Sequence, residues 1–315
     1  MNNNLIPMII EKAKTMGWLH VFFINNPVSV IVARMIIEKY NIDKKRIKVF
    51  SFRNTDTSFI NFSVSKVQPA KFDKYLEKLF WQSPSGSRII REINRENFIL
   101  YASWAYREVE KLLNERACNG HIYIEEGQHS YMRIGTFSNS KISLINRFKK
   151  NWKNRFNEID EVGYYFREDS DAFIGIHNDV FPKISNDKKF ILDNLNEIKN
   201  YYIPKLIGVK TIGITCAARR LKKEEWKKML QILLNNMPNG AVVKIHPSFI
   251  SLKSAYDEII SIFNEISNGK VNLCPNDVII ELEMLYESKK LVGSQTSLST
   301  YADLFGSSFK YVNLY

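Results

Sequence analysis

The sequence predicts an α/β protein of two doubly wound, parallel-sheet domains that face each other across a cleft. Three observations lead there. Short apolar runs alternate with longer amphipathic ones, and the same alternation begins afresh in the second half. The chain's 315 residues, 45% of them hydrophobic, are too many for one ordinary domain and apolar enough for two cores.

In the first half the strand-like runs are residues 20–24, 47–52, 98–102 and 120–124. Each is too short for a helix and rich in aromatic or β-branched side chains. Residues 28–40 read as a helix opened by Asn26-Pro27, because proline at the first helical position removes only an N–H that has no partner there. In the second half strands are expected at 211–215, 241–245, 271–273, 290–292 and 310–314, with helices near 222–236, 252–266, 278–287 and 298–305. Between Phe181 and Lys188 proline, serine, asparagine and charges break the apolar pattern. The expected domains are therefore residues 1–184 and 185–315, both Rossmann-like. Such domains bind ligands at the carboxyl ends of their strands.

A formal charge of +12 favours polyanionic company: nucleic acid, an anionic membrane face or an acidic glycan. The basic residues are spread along the chain without a zinc-finger, ribonucleoprotein or zipper pattern, which argues against nucleic acid. Cys118, Cys216 and Cys274 are odd in number and widely spaced, so neither a disulfide framework nor a zinc site is expected. The most apolar stretch, 19–37, contains Asn25, Asn26, Pro27 and Arg34, which a bilayer would not accept. The Met-Asn-Asn-Asn start carries no basic region ahead of a signal-like core, so a cytoplasmic location is expected.

Four strand ends can carry chemistry. Tyr123-Ile124-Glu125-Glu126-Gly127 turns abruptly from an apolar strand to two carboxylates and a glycine. One carboxylate can serve as general base toward a hydroxyl, or the pair can be an exposed acidic turn. In Val242-Val243-Lys244-Ile245-His246-Pro247 the proline holds His246 extended, so the imidazole can meet a phosphate or merely end the strand. Leu291-Val292-Gly293-Ser294-Gln295-Thr296-Ser297 leads into a helix and offers N–H and hydroxyl donors to a phosphate, or ordinary N-capping by Thr296 or Ser297. Upstream, Gly213-Ile214-Thr215 closes another strand and can line the same phosphate site, before Arg219 and Arg220.

The order Glu-Glu-Gly, His-Pro, Ser/Thr resembles that of the bacterial sialyltransferases and capsular polysialyltransferases. Those enzymes carry an acidic-acidic-Gly motif, a His-Pro motif and a Ser/Thr motif on a GT-B fold. The resemblance runs from Tyr123 to Gly306. It implies an inverting, metal-independent transfer of a nonulosonic acid from a CMP donor to a glycan hydroxyl of capsule or lipooligosaccharide, with no cofactor. It makes Glu126 or Glu125 the base and sets His246, with Pro247 behind it, on the leaving phosphate. Ser294, Thr296 and Ser297 would bind the same phosphate, and Gly213 and Thr215 would line the donor site. Glu283, with Glu281 as the alternative, would contact the nucleotide ribose. Where the family has paired serines this chain has Gln295-Thr296-Ser297.

A CDP-glycerol-type phosphotransferase shares the plan and the His-Pro, but the Asp expected before its serines is missing ahead of Ser297. A non-enzymatic basic glycan- or nucleic-acid-binding protein is the alternative of another class. Asp169-Ser170-Asp171 spells a metal-binding Asp-x-Asp but lies in a polar connection and reads as a loop. Finally, residues 141–157, from Lys141 to Asn157, repeat Leu144, Phe148, Trp152 and Phe156 every four positions among Arg147, Lys149, Lys150, Lys153 and Arg155. That stripe is either core or a basic helical face for an anionic membrane.

Overall fold

Leu19–Ile24 forms the strand β1 of the computed structural model, which describes residues 7–51, 63–66, 84–103, 108–131, 161–162, 166–167, 170–250, 252–294 and 296–314. All six residues of β1 are buried. A strand covered on both faces has no wet side, so its hydrophobic pattern is continuous and not alternating. The chain then leaves through Asn25-Asn26 into the helix Pro27–Lys39, whose residues Val28 to Ile37 are all buried. Each Val, Ile or Met that it removes from water contributes about 1.5–3 kcal/mol.

The other strands of the first unit are β2 (Ile47–Ser51), β3 (Val64–Lys66), β4 (Phe98–Ala102), β5 (Cys118–Ile124), β8 (Ala172–Gly175) and β9 (Lys189–Ile191). Two short strands, β6 (Glu161–Val162) and β7 (Phe166–Arg167), pair antiparallel apart from the main sheet. The main sheet has seven strands in the order β3-β2-β1-β4-β5-β8-β9, and every pair in it is parallel. The chain builds outward from β1 through β2 and β3, then returns to the other side of β1 with β4. The reversal leaves a crevice at the carboxyl ends of β1 and β4, the place where open α/β sheets bind ligands.

The second unit repeats the plan with β10 (Thr211–Ile214), β11 (Val242–Lys244), β12 (Asn272–Leu273), β13 (Lys290–Gly293) and β14 (Ser308–Tyr311). Its order is β12-β11-β10-β13-β14, again all parallel, with the reversal between β10 and β13. Trp226, Met229, Leu230 and Leu233 of the helix Glu225–Asn235 pack with Val243, Phe249, Ile259 and Phe263 into one core.

Two expectations need correction. The division between the units falls between Ile198 and Lys199, not at 184/185. Lys189–Ile191 pairs with β8 as the edge of the first sheet, and Leu192 N–H donates to the Gly175 carbonyl, which carries the first unit past the polar break at 181–188. The last strand is Ser308–Tyr311, starting two residues and ending three residues earlier than the apolar run suggested. The basic stretch 141–157 lies outside the described residues. Among the described residues no helix is long and apolar enough to cross a membrane.

Candidate functional site

In the first unit β5 delivers Glu125, Glu126 and Gly127 to the carboxyl edge of the sheet. Gly127 has φ 120°, a backbone conformation strained for any side chain, so the abrupt turn requires glycine here. The two carboxylates have different surroundings. Glu125 is fully buried: one oxygen accepts from the Tyr131 hydroxyl at 2.6 Å and the other from the Ile176 N–H at 2.8 Å. Gly175 makes room for it, since a Cβ there would lie 2.8 Å from the second oxygen. Glu125 thus ties the end of β5 to the loop after β8.

Glu126 retains 8% exposure. Its N–H donates to Ser130 Oγ at 3.1 Å, and its Oε2 accepts from Asn26 Nδ2 at 3.4 Å. That bond spans β4 and brings the carboxylate to the residues following β1. Ser103, just beyond β4, is 1% exposed, and its hydroxyl has no hydrogen-bond partner among the described residues. The crevice at the β1/β4 reversal therefore gathers Asn25, Asn26, Ser103 and Glu126. Of the Asp169-Ser170-Asp171 triplet, Asp169 is outside the described residues, while Ser170 Oγ lies 3.1 Å from His121 Nδ1 and Asp171 accepts from the His121 N–H at 2.7 Å.

In the second unit Thr215 follows β10. Its hydroxyl accepts from the His246 N–H at 2.8 Å, and its own N–H donates to the Lys244 carbonyl at 3.2 Å. The two strand ends are thereby stitched beyond their ladder. His246 Nδ1 accepts from the Ser248 N–H at 3.1 Å and faces Ser248 Oγ at 2.9 Å, while that Oγ accepts from the Ala218 N–H at 2.8 Å. A backbone amide can only donate, so Nδ1 is the acceptor and the neutral ring carries its proton on Nε2. The half-buried imidazole is then a fixed Nε2–H donor.

Lys244 is the one charged side chain in β11, and its ammonium donates to the Pro275 and Asn276 carbonyls, both at 2.8 Å. It fastens the loop that leads to the helix Ile280–Tyr286. In the first turn of that helix Glu281 is 7% exposed. Burial pushes its carboxyl up to about 7, opposed by its own backbone N–H and by Lys244.

At the reversal of the second sheet Gly293 pairs with Ile214, and a Cβ on it would stand 2.7 Å from the Ile214 carbonyl. Only glycine lets these backbones approach so closely. Beyond it Ser294 is 9% exposed, and Thr296 and Ser297 are half-buried. Ser297 makes no capping bond to the helix Leu298–Leu304, and Thr296 Oγ1 accepts from the Leu298 N–H only at 3.5 Å. Capping therefore accounts for Thr296 weakly and for Ser297 not at all.

Three expected donor residues have other work. Gly213 lies inside β10, where a Cβ would meet Met237 Sδ at 2.4 Å, so the missing side chain admits Met237 against the strand. Pro247 is the first residue of the helix Pro247–Ile250 and offers no donor. Glu283 is fully buried: one oxygen accepts from the Tyr202 hydroxyl at 2.7 Å and the Lys205 N–H at 2.8 Å, and the other from the Leu206 N–H at 2.9 Å. Burial, and then the bond to Glu283, push the Tyr202 hydroxyl well up. Glu283 thus holds the segment entering the second unit.

Sequence reasoning passed over Asn26, Ser103, Ser248 and Lys244. Lysine within an otherwise apolar strand was the readable signal for the last, and small polar residues immediately after apolar runs for the others.

No protein-family model and no curated protein matches the chain. Among solved structures it is similar to MnaA from S. aureus in a co-structure with UDP, with a TM-score of 0.52 and 9% identity, over 93% of this chain and 78% of that one. It is also similar to UDP-GlcNAc 2-epimerase from Neisseria meningitidis bound to UDP-GlcNAc, with a TM-score of 0.52 and 11% identity, over 93% of this chain and 82% of that one. At such identity the likeness is one of fold, an α/β fold of the GT-B kind.

Proposed function

We propose that this chain is an inverting, metal-independent glycosyltransferase that moves a nonulosonic acid, such as sialic, legionaminic or pseudaminic acid, from CMP to a hydroxyl of a bacterial surface glycan. The reading rests on one observation: the carboxyl edge of each sheet ends, at or beside its reversal, in the kind of group that half of the transfer needs. In the first unit that is a carboxylate with residual exposure, Glu126, beside its closed-off neighbour Glu125. In the second it is the oriented His246 imidazole among hydroxyls.

Glu126 takes the proton of the acceptor hydroxyl as the acceptor oxygen bonds to the anomeric carbon. The bond from that carbon to the CMP oxygen breaks, and its electron pair departs on the phosphate. His246 Nε2–H, with Ser294, Thr296 and Ser297, meets the growing charge. The Thr215 hydroxyl accepts from the His246 N–H and keeps its own proton to donate. Glu281 takes the ribose contact in place of Glu283. The UDP ligands of the two structural neighbours support a nucleotide-sugar donor in general. CMP is the nucleotide that the resemblance to the bacterial sialyltransferases implies. A cytoplasmic setting against an anionic membrane, through residues 141–157, belongs to the same proposal; flotation on anionic vesicles that is lost in high salt tests it.

The decisive experiment incubates the protein with CMP-nonulosonates, UDP-GlcNAc and CDP-glycerol, with and without glycan acceptors, and follows nucleotide release. Release of CMP is expected, reduced about 100-fold or more by Glu126→Gln while CMP binding persists. Turnover of UDP-GlcNAc or CDP-glycerol alone, or of none, would overturn the proposal.

A further inference from the structure

We propose that Asn26 is a positioning residue of the transfer, orienting the Glu126 carboxylate from the neighbouring loop. The inference rests on Glu126 being the base. Asn26 is the N-cap of the thirteen-residue helix Pro27–Lys39, in an extended conformation with φ −154° and ψ 168°. Its Oδ1 accepts from the Ser29 N–H at 2.8 Å, and its own N–H donates to Ser29 Oγ at 3.2 Å. These two bonds close the capping box, and the fully buried Ser29 donates its hydroxyl to the Asn26 carbonyl at 2.9 Å.

An amide side chain has an accepting end and a donating end. The Ser29 N–H, which can only donate, fixes the accepting end, and Nδ2 is thereby aimed at Glu126 Oε2 at 3.4 Å. Capping uses only the oxygen, and aspartate or serine caps about as well. Nδ2 is surplus to the cap, and its contact is the carboxylate one hundred positions later in the chain. A donor and a helix N-terminus beside Glu126 both favour its charged form, the form a base must have.

Because aspartate and serine preserve the cap, the contact can be tested without disturbing the helix. Asn26→Asp sets a second carboxyl oxygen against Glu126 and is expected to lower the unfolding temperature at pH 8 by about 4 °C. In the double variant with Glu126→Gln the polarity is inverted, the Gln amide donating to Asp, and the loss is expected to vanish. Without the contact, Asp at an N-cap leaves the unfolding temperature unchanged or raises it in both backgrounds, which overturns the proposal.

Asn26→Ser keeps the cap and removes Nδ2, its shorter hydroxyl being held at the cap instead of reaching Glu126. It is expected to lower kcat about 10-fold with the donor KM unchanged, and to move the acid limb of the pH profile upward. Wild-type kcat and pH profile in Asn26→Ser would likewise overturn the inference. Absence of turnover in the wild-type control is a separate result: it sinks the glycosyltransferase reading, and the positioning role with it, while the thermal cycle still reports whether the two side chains meet.

Discussion

Replacing Glu283 with glutamine separates a structural carboxylate from a ribose-binding one. The change conserves shape and removes one acceptor oxygen from a site where two backbone N–H groups and a tyrosine hydroxyl converge. If the amide oxygen faces Lys205 N–H and Tyr202, the NH2 group confronts the Leu206 N–H. If the amide is flipped, Tyr202 can reverse its hydroxyl, but the Lys205 N–H then faces a donor. Either orientation strands one amide in a fully buried place, at a cost of about 1–3 kcal/mol, and the remaining bonds lose their charge assistance. A destabilisation of about 2–4 kcal/mol follows, or an unfolding temperature lower by roughly 5–15 °C. Urea unfolding and calorimetry measure it, and CMP titration well below the transition should give wild-type affinity. A variant as stable as wild type that has lost CMP binding would refute the reasoning and return Glu283 to the ribose.

His246→Ala should weaken CMP binding and slow both transfer and donor hydrolysis, because both reactions share the departing phosphate; isothermal titration and CMP release check this. Glu281→Gln should stabilise the protein at pH 8 and leave it unchanged at pH 4. With a folded-state value of about 7 against an ordinary 4.5, the folded chain holds the extra proton between those limits, so the native carboxyl's stability is lost as pH rises through about 7. The opposite dependence belongs to His20, which is 1% exposed with Nδ1 2.8 Å from the Tyr101 hydroxyl. Burial, aided by Lys14, lowers it from 6.5 to about 4. The unfolded chain then binds the extra proton, so about 3 kcal/mol is lost between pH 6.5 and 4, and His20→Gln should flatten that limb in pH-dependent urea unfolding.

The central strands were readable because an apolar run bounded by glycine, proline or asparagine has few alternatives in an α/β chain; β1, β4, β10 and β13 lie within a residue or so of expectation. β3 and β9 were not, since Val64-Ser65-Lys66 and Lys189-Phe190-Ile191 are three residues each and owe their extended shape to the strand beside them. The motif glutamates show the same limit. Glu125 and Glu126 are equivalent as letters, and what divides them is Tyr131 and the Ile176 N–H, contacts that no spacing rule encodes. Glu281 and Glu283 are two positions apart on a helix, which sets them on different faces. Both are buried, and what divides them is that Tyr202, Lys205 and Leu206, some eighty residues earlier, close around Glu283. Gly213 was expected to line the donor site, whereas its missing side chain makes room for Met237, a contact that no spacing encodes.

The hydrogen bonds described around the second sheet's strand ends all close within residues 199–315: His246 to Thr215, Ser248 to Ala218, Lys244 to Pro275 and Asn276, and Glu283 to the 202–206 segment. Under the proposed transfer these bonds make residues 199–315 a candidate cassette: a lineage adapting the first unit to a new glycan would keep the residues proposed to grip the nucleotide. Exchanging residues 199–315 between related chains is expected to transplant donor preference and leave acceptor preference behind, a route to new surface sugars by recombination as well as by point substitution.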